Sequence, residues 1–158
     1  MFTKVIWATD GSEHADRAMT HAVGVAKRDG ADLLVVHVVE KLVSSRAAGL
    51  DAFANEDEIR AKIEGQAAAI AAEGDLAISV EITAGLGNRI GDRLAEVAEE
   101  AGADLIVVGT RGHGAVGALM LGSVTLRLMH VSRVPVLAVP PSMASETASP
   151  RETAGSPA

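Results

Sequence analysis

The chain has 158 residues, of which 48% are hydrophobic, and a formal net charge of −7. This length suits one domain, and the hydrophobic content excludes a chain that is disordered throughout. The negative charge argues against general binding of nucleic acids or anionic membranes, and the lack of cysteine excludes disulfides, thiolate metal sites and cysteine nucleophiles.

The N-terminal segment has the features of neither a signal peptide nor a membrane anchor. Its apolar stretch stops at Thr9-Asp10-Gly11, and no run in the sequence approaches the roughly 20 apolar residues of a membrane helix. We therefore expect a cytoplasmic protein that does not insert into membranes.

Five short apolar runs predict buried strands, and several segments between them have the three- and four-residue apolar spacing of amphipathic helices. The predicted strands cover residues 4–8, 32–39, 78–83, 105–108 and 134–139. Ser12 is predicted to cap the first helix and Gly30 to end it. Residues 40–55 lack clear periodicity, which predicts a mobile connection that can include a helical turn.

The second half of the chain has clear start and stop signals for helices. A helix marked by Ile59 and Ile63 is expected to stop at Gly74. After a predicted turn at residues 85–88, Asn88 can cap the next helix, and Gly102 lies just past its end. The last helix is predicted from residue 123 to about 130.

The element order β-α-β-α-β-α-β-α-β predicts an α/β fold, a single domain with an open parallel five-stranded sheet and helices on both faces. We expect this domain to cover residues 1–141. Residues 142–158 are rich in Ser, Ala, Pro and charge and are predicted to form a disordered tail. In such sheets ligands bind beyond the carboxyl ends of the strands.

The loop that follows the fourth strand, residues 109–123, is the main candidate site. Five glycines within residues 109–122 allow close backbone approach, and the following helix can present backbone N–H groups to an anion. Ser123 is predicted to cap that helix and to bind phosphate. No acid lies between Asp104 and Glu146, whereas three arginines do: Arg111, Arg127 and Arg133. The alternative interpretation is a mobile turn whose glycines only ease packing.

Two common phosphate-binding motifs fail on this loop. Residues 112–117 spell G-x-G-x-x-G, but the acidic residue expected about 20 positions later to hold a ribose is missing. Residues 117–123 resemble a P-loop without its lysine, which excludes a Walker-type NTPase.

A third pattern fits. Gly109, two residues, Gly112, nine residues and then Gly122-Ser123 resemble the ATP-binding signature of the universal stress protein family. The opening strand with its Asp10-Gly11-Ser12 turn, the second strand and the last two strands are also similar to that family. The resemblance covers about residues 3–140. One departure is the 85–88 turn, where the family often has proline.

The resemblance implies a Rossmann-like fold of the adenine-nucleotide alpha-hydrolase type and a bound ATP with Mg²⁺. It implies that Gly112, Gly122, Ser123 and the amide of Val124 contact phosphate. It places Gly109 beside the ribose, the Val38 backbone near the adenine, and Asp10 near the ribose or the metal. The other interpretations are a turn or cap role for Asp10 and ordinary core packing for Val38. Arg111 and His113 can contact phosphate or lie in solvent.

The remaining polar residues indicate no other site. The five histidines lack metal-ligand spacing, and His37, inside a strand, is predicted to be a core residue with satisfied hydrogen bonds. No nucleophile elbow is present, and Thr83 stands where a phosphorelay receiver needs an aspartate.

Three functions stay open. The first is a stress-response module in which bound ATP tunes contacts with an unidentified protein partner, and hydrolysis is slow or absent. The second is a weak ATPase or self-phosphorylating enzyme using Asp10 and Mg²⁺, with Ser123 or Thr110 near the γ-phosphate. The third is a binder of AMP or a cyclic nucleotide. The resemblance also implies a homodimer paired through Val136–Val139, an apolar edge with a physical reason to be covered.

Overall fold

The computed structural model describes residues 1–41, 49–111 and 121–141, with the side chains of residues 49–54 outside the description. The strands are β1 (Lys4–Ala8), β2 (Asp32–Lys41), β3 (Ile78–Leu86), β4 (Leu105–Gly109) and β5 (Val136–Val139). The helices are α1 (Glu13–Asp29), α2 (Gly49–Ala72), α3 (Ile90–Glu100) and α4 (Ser123–Val131), with a short 3₁₀ turn at Gly87–Arg89. The predicted alternation of strands and helices is confirmed.

The five strands form one parallel sheet in the order β3-β2-β1-β4-β5. β1 lies at the centre, where Trp7 is level with Val35 of β2 and Val107 of β4. The chain runs outward from β1 through β2 to β3 on one side and from β4 to β5 on the other. The order of strands therefore reverses between β1 and β4.

Each face of the sheet is covered by two helices. Neighbouring residues along a strand point to opposite faces, so both faces carry apolar side chains that must be buried. Val5 and Trp7 of β1 pack in one buried cluster with residues of α1 and α2. Ile6 and Ala8 pack in a second cluster with residues of α3 and α4. This confirms the predicted open sheet with helices on both faces.

Several helix ends follow the predicted chemistry, and the start of α3 does not. Ser12 caps α1, its Oγ accepting from the Ala15 N–H at 3.3 Å, and Gly30 follows with a left-handed φ of 67°. Gly102, with φ 65°, lies two residues beyond α3. The prediction for Asn88 is wrong, because Asn88 sits in the 3₁₀ turn and Arg89 is the residue that precedes α3, without a side-chain cap.

Other bounds differ from the sequence prediction. β2 continues to Lys41 and α2 already begins at Gly49, inside the segment predicted as a mobile connection. β3 includes Gly85 and Leu86, which were predicted to lie in the turn, because β3 continues its pairing with the extended β2 as far as Lys41–Leu86. β5 begins only at Val136, after Pro135, whose nitrogen cannot donate to the ladder.

Across the residues with an assigned structure, no helix is both long and apolar enough to cross a bilayer.

Candidate functional site

The carboxyl ends of β1 and β4 lie side by side at the point where the strand order reverses. The last pair in their ladder is Ala8 with Val108. Asp10 and Thr110 therefore each follow that pair by two residues at the same edge of the sheet. In open α/β sheets this is the crevice where ligands bind.

The turn between β1 and α1 is held by side-chain hydrogen bonds to its own backbone. The Ser12 N–H donates to Asp10 Oδ1 at 3.0 Å, and the Gly11 N–H donates to Thr9 Oγ1 at 3.1 Å. Gly11 has φ 78°, which a glycine adopts without strain. The predicted turn role of Asp10 is therefore present, and it leaves Asp10 positioned at the mouth of the crevice.

The end of β4 approaches α1 so closely that only glycine fits. A Cβ on Gly109 would lie 2.9 Å from the backbone oxygen of His14. The Gly109 carbonyl in turn accepts from Thr125 Oγ1 at 2.9 Å, which joins β4 to the first turn of α4. Thr125 is a buried residue that the sequence analysis missed; a hydroxyl two residues after Ser123, near the start of a helix, was the available signal.

The return of the chain after the glycine-rich loop lies beside the end of β4. The Gly122 N–H donates to the Thr110 carbonyl at 2.7 Å. Gly122 is the residue that caps α4, and Ser123 is its first helical residue. The prediction that Ser123 is the N-cap is therefore wrong, because the Gly122 carbonyl already accepts the first helical bond, from Leu126.

The N-terminus of α4 nevertheless lies at the carboxyl end of β4, where the phosphate site was predicted. Ser123 is exposed and Val124 is half-buried, and both lie in the first turn. The first N–H groups of a helix have no partner inside the helix and carry partial positive charge. Their position next to Thr110 makes this end of α4 suited to an anion.

The arginines of the acid-free segment contribute less charge to the loop than the sequence suggested. Arg127 forms a bidentate pair with Asp92 of α3, at 2.7 and 3.0 Å, and its hydrogen bond is the main cause of a lowered pKa at Asp92. Arg133 lies 3.9 Å from Glu99. Within the described ranges, Arg111 is the member of the three that has no ion pair with an acid.

The end of β2 lies on the other side of β1 from β4. Val38 lies two residues beyond the last β1–β2 pair, Ala8 with Val36, and is level with Thr83 of β3. Its side chain is buried in the core, as one of the two interpretations predicted. The neighbouring His37 is buried, with Nδ1 2.9 Å from the Thr9 carbonyl, which confirms the prediction of a satisfied core histidine.

The loop itself is only partly described. Gly112 and His113 fall outside the described residues, as does the tail from 142. The predictions for them stay predictions. Among the residues that the structure describes, no three His, Asp or Glu side chains cluster as metal ligands.

The sheet order and the crevice place the chain among the open, doubly wound α/β domains. The model of the universal stress protein family matches residues 1–140. The chain therefore belongs to the universal stress protein family.

Two curated relatives illustrate the match. A Thermus aquaticus universal stress protein, named for its location in the 3′ region of a QAH/OAS sulfhydrylase, is 36% identical over 88% of this chain and 99% of its own length. The Methanocaldococcus jannaschii universal stress protein MJ0531 is 33% identical over 88% of this chain and 82% of its own length.

Solved structures show the same fold. The hypothetical protein MJ0577 has a TM-score of 0.72 at 25% identity, covering 89% of this chain and 97% of its own. A universal stress protein in complex with cAMP has a TM-score of 0.54 at 26% identity, covering 87% of this chain and 96% of its own.

Proposed function

We propose that this protein is an ATP-binding module and that ATP lies in the crevice between β1 and β4. The observation that carries the proposal is the hydrogen bond between Thr110 and Gly122, which lie on either side of residues 112–120. The hydrogen bond from Gly122 to Thr110 sets the N-terminus of α4 beside the end of β4, level with Asp10. A helix N-terminus at a switch point is suited to phosphate, and a relative has been solved with cAMP.

The residues divide by position. The amides of Ser123 and Val124, with the Ser123 hydroxyl, would hold phosphate oxygens. Gly112 and Gly122 would border the phosphates, since the Gly122 N–H is already bonded to the Thr110 carbonyl. Gly109 would face the ribose and the Val38 backbone the adenine. Arg111 supplies a cation near the end of β4, where phosphate charge needs to be balanced.

The donor set fits Mg²⁺ only in a limited way. Asp10 brings one carboxylate to the crevice, and Mg²⁺ in nucleotide sites is commonly held by one or two carboxylates, phosphate oxygens and water. We therefore propose that Asp10 supports an ion held mainly by the phosphates. The ion would supply charge neutralisation.

The test is calorimetric titration of the protein with ATP, ADP, AMP and cyclic AMP, each with Mg²⁺. We expect ATP to bind most tightly, because only it brings three phosphates to the amides and the cation of the site. Tightest binding of cyclic AMP or AMP would instead support the third function given above. If none of the four binds, the proposed site is excluded.

An enzyme is the alternative from another class. The part of the site that is described has no lysine and no arginine directed at a phosphate by a second residue, so we propose that hydrolysis is slow or absent. Incubation with ATP and Mg²⁺ followed by nucleotide analysis distinguishes the two. Steady turnover that disappears in Asp10→Ala would exclude a pure binding module.

We propose that the protein forms a homodimer paired along β5 and that bound ATP changes the stability of this dimer. β5 is an edge of the sheet, and Leu137 on it is 38% exposed. Leu126 and Met129 of α4 are each 51% exposed, and such apolar groups favour burial in a contact. Sedimentation with and without ATP should show a dimer whose stability depends on nucleotide. A monomer in both conditions would exclude this route and leave the unidentified partner.

A further inference from the structure

One face of α2 lies across the turn that carries Asp10. Glu56, Ile59 and Lys62, three residues apart on the helix, all contact that end of the sheet. The contact is close, because a Cβ on Gly11 would lie 2.9 Å from Ile59 Cγ2.

The Thr9 carbonyl, just before Asp10, contacts His37 of β2, and His37 in turn contacts Glu56 of α2. His37 Nδ1 lies 2.9 Å from the Thr9 carbonyl oxygen, and its Nε2 lies 2.7 Å from Glu56 Oε1. The ring therefore lies between the two oxygens, with one nitrogen at hydrogen-bond distance from each. Since the His37 side chain is only 5% exposed, its ring has little freedom to turn away. The Thr9 peptide is thus linked to α2 by one rigid side chain.

The carbonyl after Asp10 is held by α2 directly. Lys62 Nζ donates to the Gly11 carbonyl at 2.7 Å and to Asp16 Oδ2 at 2.7 Å. Gln66, one turn further along α2, donates to Asp16 Oδ1 at 2.9 Å. Lys62 therefore joins α2 both to the turn and to the first turns of α1.

We propose that α2 clamps the Asp10 turn, with Glu56 and Lys62 as positioning residues, so that nucleotide binding and the docking of α2 stabilise each other. The inference rests on the proposed function, because it takes Asp10 as part of the nucleotide site. Coupling between two sites is reciprocal. α2 is then the element whose stability reports whether the crevice is occupied.

The clamp can be separated from simple stability. The Lys62 and Asp16 side chains are 39% and 29% exposed, and pairs at the surface contribute little to global stability. A residue that serves only the fold would change the melting temperature and the affinity together. Replacement of Lys62, a positioning residue in this surface pair, should therefore change the affinity for nucleotide while the melting temperature of the free protein stays nearly constant.

The experiment uses the full chain and ATP with Mg²⁺. We expect Glu56→Gln and Lys62→Met each to weaken ATP binding about fivefold in calorimetric titration. Lys62→Met removes a hydrogen bond to the turn, and Glu56→Gln replaces the carboxylate that contacts His37. Lys62→Arg keeps the cation and should restore most of the affinity. The matched controls are Glu58→Gln and Arg60→Met, exposed residues on the same helix, which should bind ATP as the wild type does.

Amide hydrogen exchange supplies the second measurement. In the wild type, ATP should slow exchange across residues 56–72 about tenfold, and in the Glu56→Gln/Lys62→Met double variant it should not. Wild-type affinity in both variants, or equal weakening in the two controls, would overturn the clamp and leave the proposed function standing. A wild-type protein that binds no ATP would overturn both.

Discussion

Replacing Trp7 with alanine is expected to lower the free energy of unfolding by about 3–5 kcal/mol, the range found when a large aromatic residue is removed from a packed core. Trp7 is fully buried on the central strand, between β2 and β4. Its Nε1–H also donates to the Ala15 carbonyl of α1 at 3.0 Å. The alanine variant loses both the packing and this link between sheet and helix.

The size of the effect follows from the composition. Trp7 is the single tryptophan, and the other aromatic residues are two phenylalanines, so the surrounding core is built from smaller side chains that cannot fill the space it leaves. Domains of this size are stable by only about 5–15 kcal/mol, so the loss removes a large fraction of the total.

Urea denaturation followed by far-ultraviolet circular dichroism measures the effect, since the variant has no tryptophan fluorescence. Trp7→Phe keeps a ring but not the N–H and should lose about 1–2 kcal/mol, close to the value of one buried hydrogen bond and some packing. Val80→Ala, at a position 37% exposed, should change stability little. A Trp7→Ala variant as stable as Val80→Ala would contradict the described core.

The order of elements was predictable because it depends on short-range pattern. Buried parallel strands are continuous apolar runs, as in β4, and glycine after a helix, as at Gly30, supplies the left-handed residue that ends it. Both signals depend on the residues themselves and their immediate neighbours. Contacts with distant parts of the chain do not alter these two signals.

Several of the failures involve contacts between distant residues, whereas the caps at Asn88 and Ser123 were wrong by one residue. α2 begins earlier than predicted, and β3 pairs further along β2 than its apolar alternation suggested. The partner of Arg127 is Asp92, 35 residues away, so the spacing of charges along the loop could not reveal that this arginine is already neutralised. Lys62 and Glu56 carried no signal in the sequence, because only the fold brings Lys62 to Gly11 and Glu56 to His37.

At the proposed site, we expect nucleotide binding to depend most on the space at Gly122. Gly122→Val is expected to weaken ATP binding by about 100-fold or more, since a branched side chain at this N-cap would fill the proposed phosphate subsite and disturb its amides. A Cβ there already lies 3.3 Å from the Thr110 carbonyl oxygen, tighter than ordinary contact. The backbone at Gly122, with φ −59° and ψ 148°, is one that valine adopts without strain. The effect on folding should therefore be small, about 1 kcal/mol.

A series of side chains of increasing size tests whether the loss of ATP affinity comes from filling the space at Gly122. Gly122→Ala adds only the Cβ and should bind ATP with an affinity between those of the wild type and the valine variant. Gly24→Val places the same side chain on α1, where a Cβ meets nothing within 4 Å, and should leave ATP affinity unchanged. Calorimetric titration of the three variants beside the wild type measures the series. Equal binding by Gly122→Val would remove the N-terminus of α4 from the site. A loss confined to the two Gly122 variants would establish that the closure between Gly122 and Thr110 shapes the phosphate subsite, the part of the crevice on which the proposal depends.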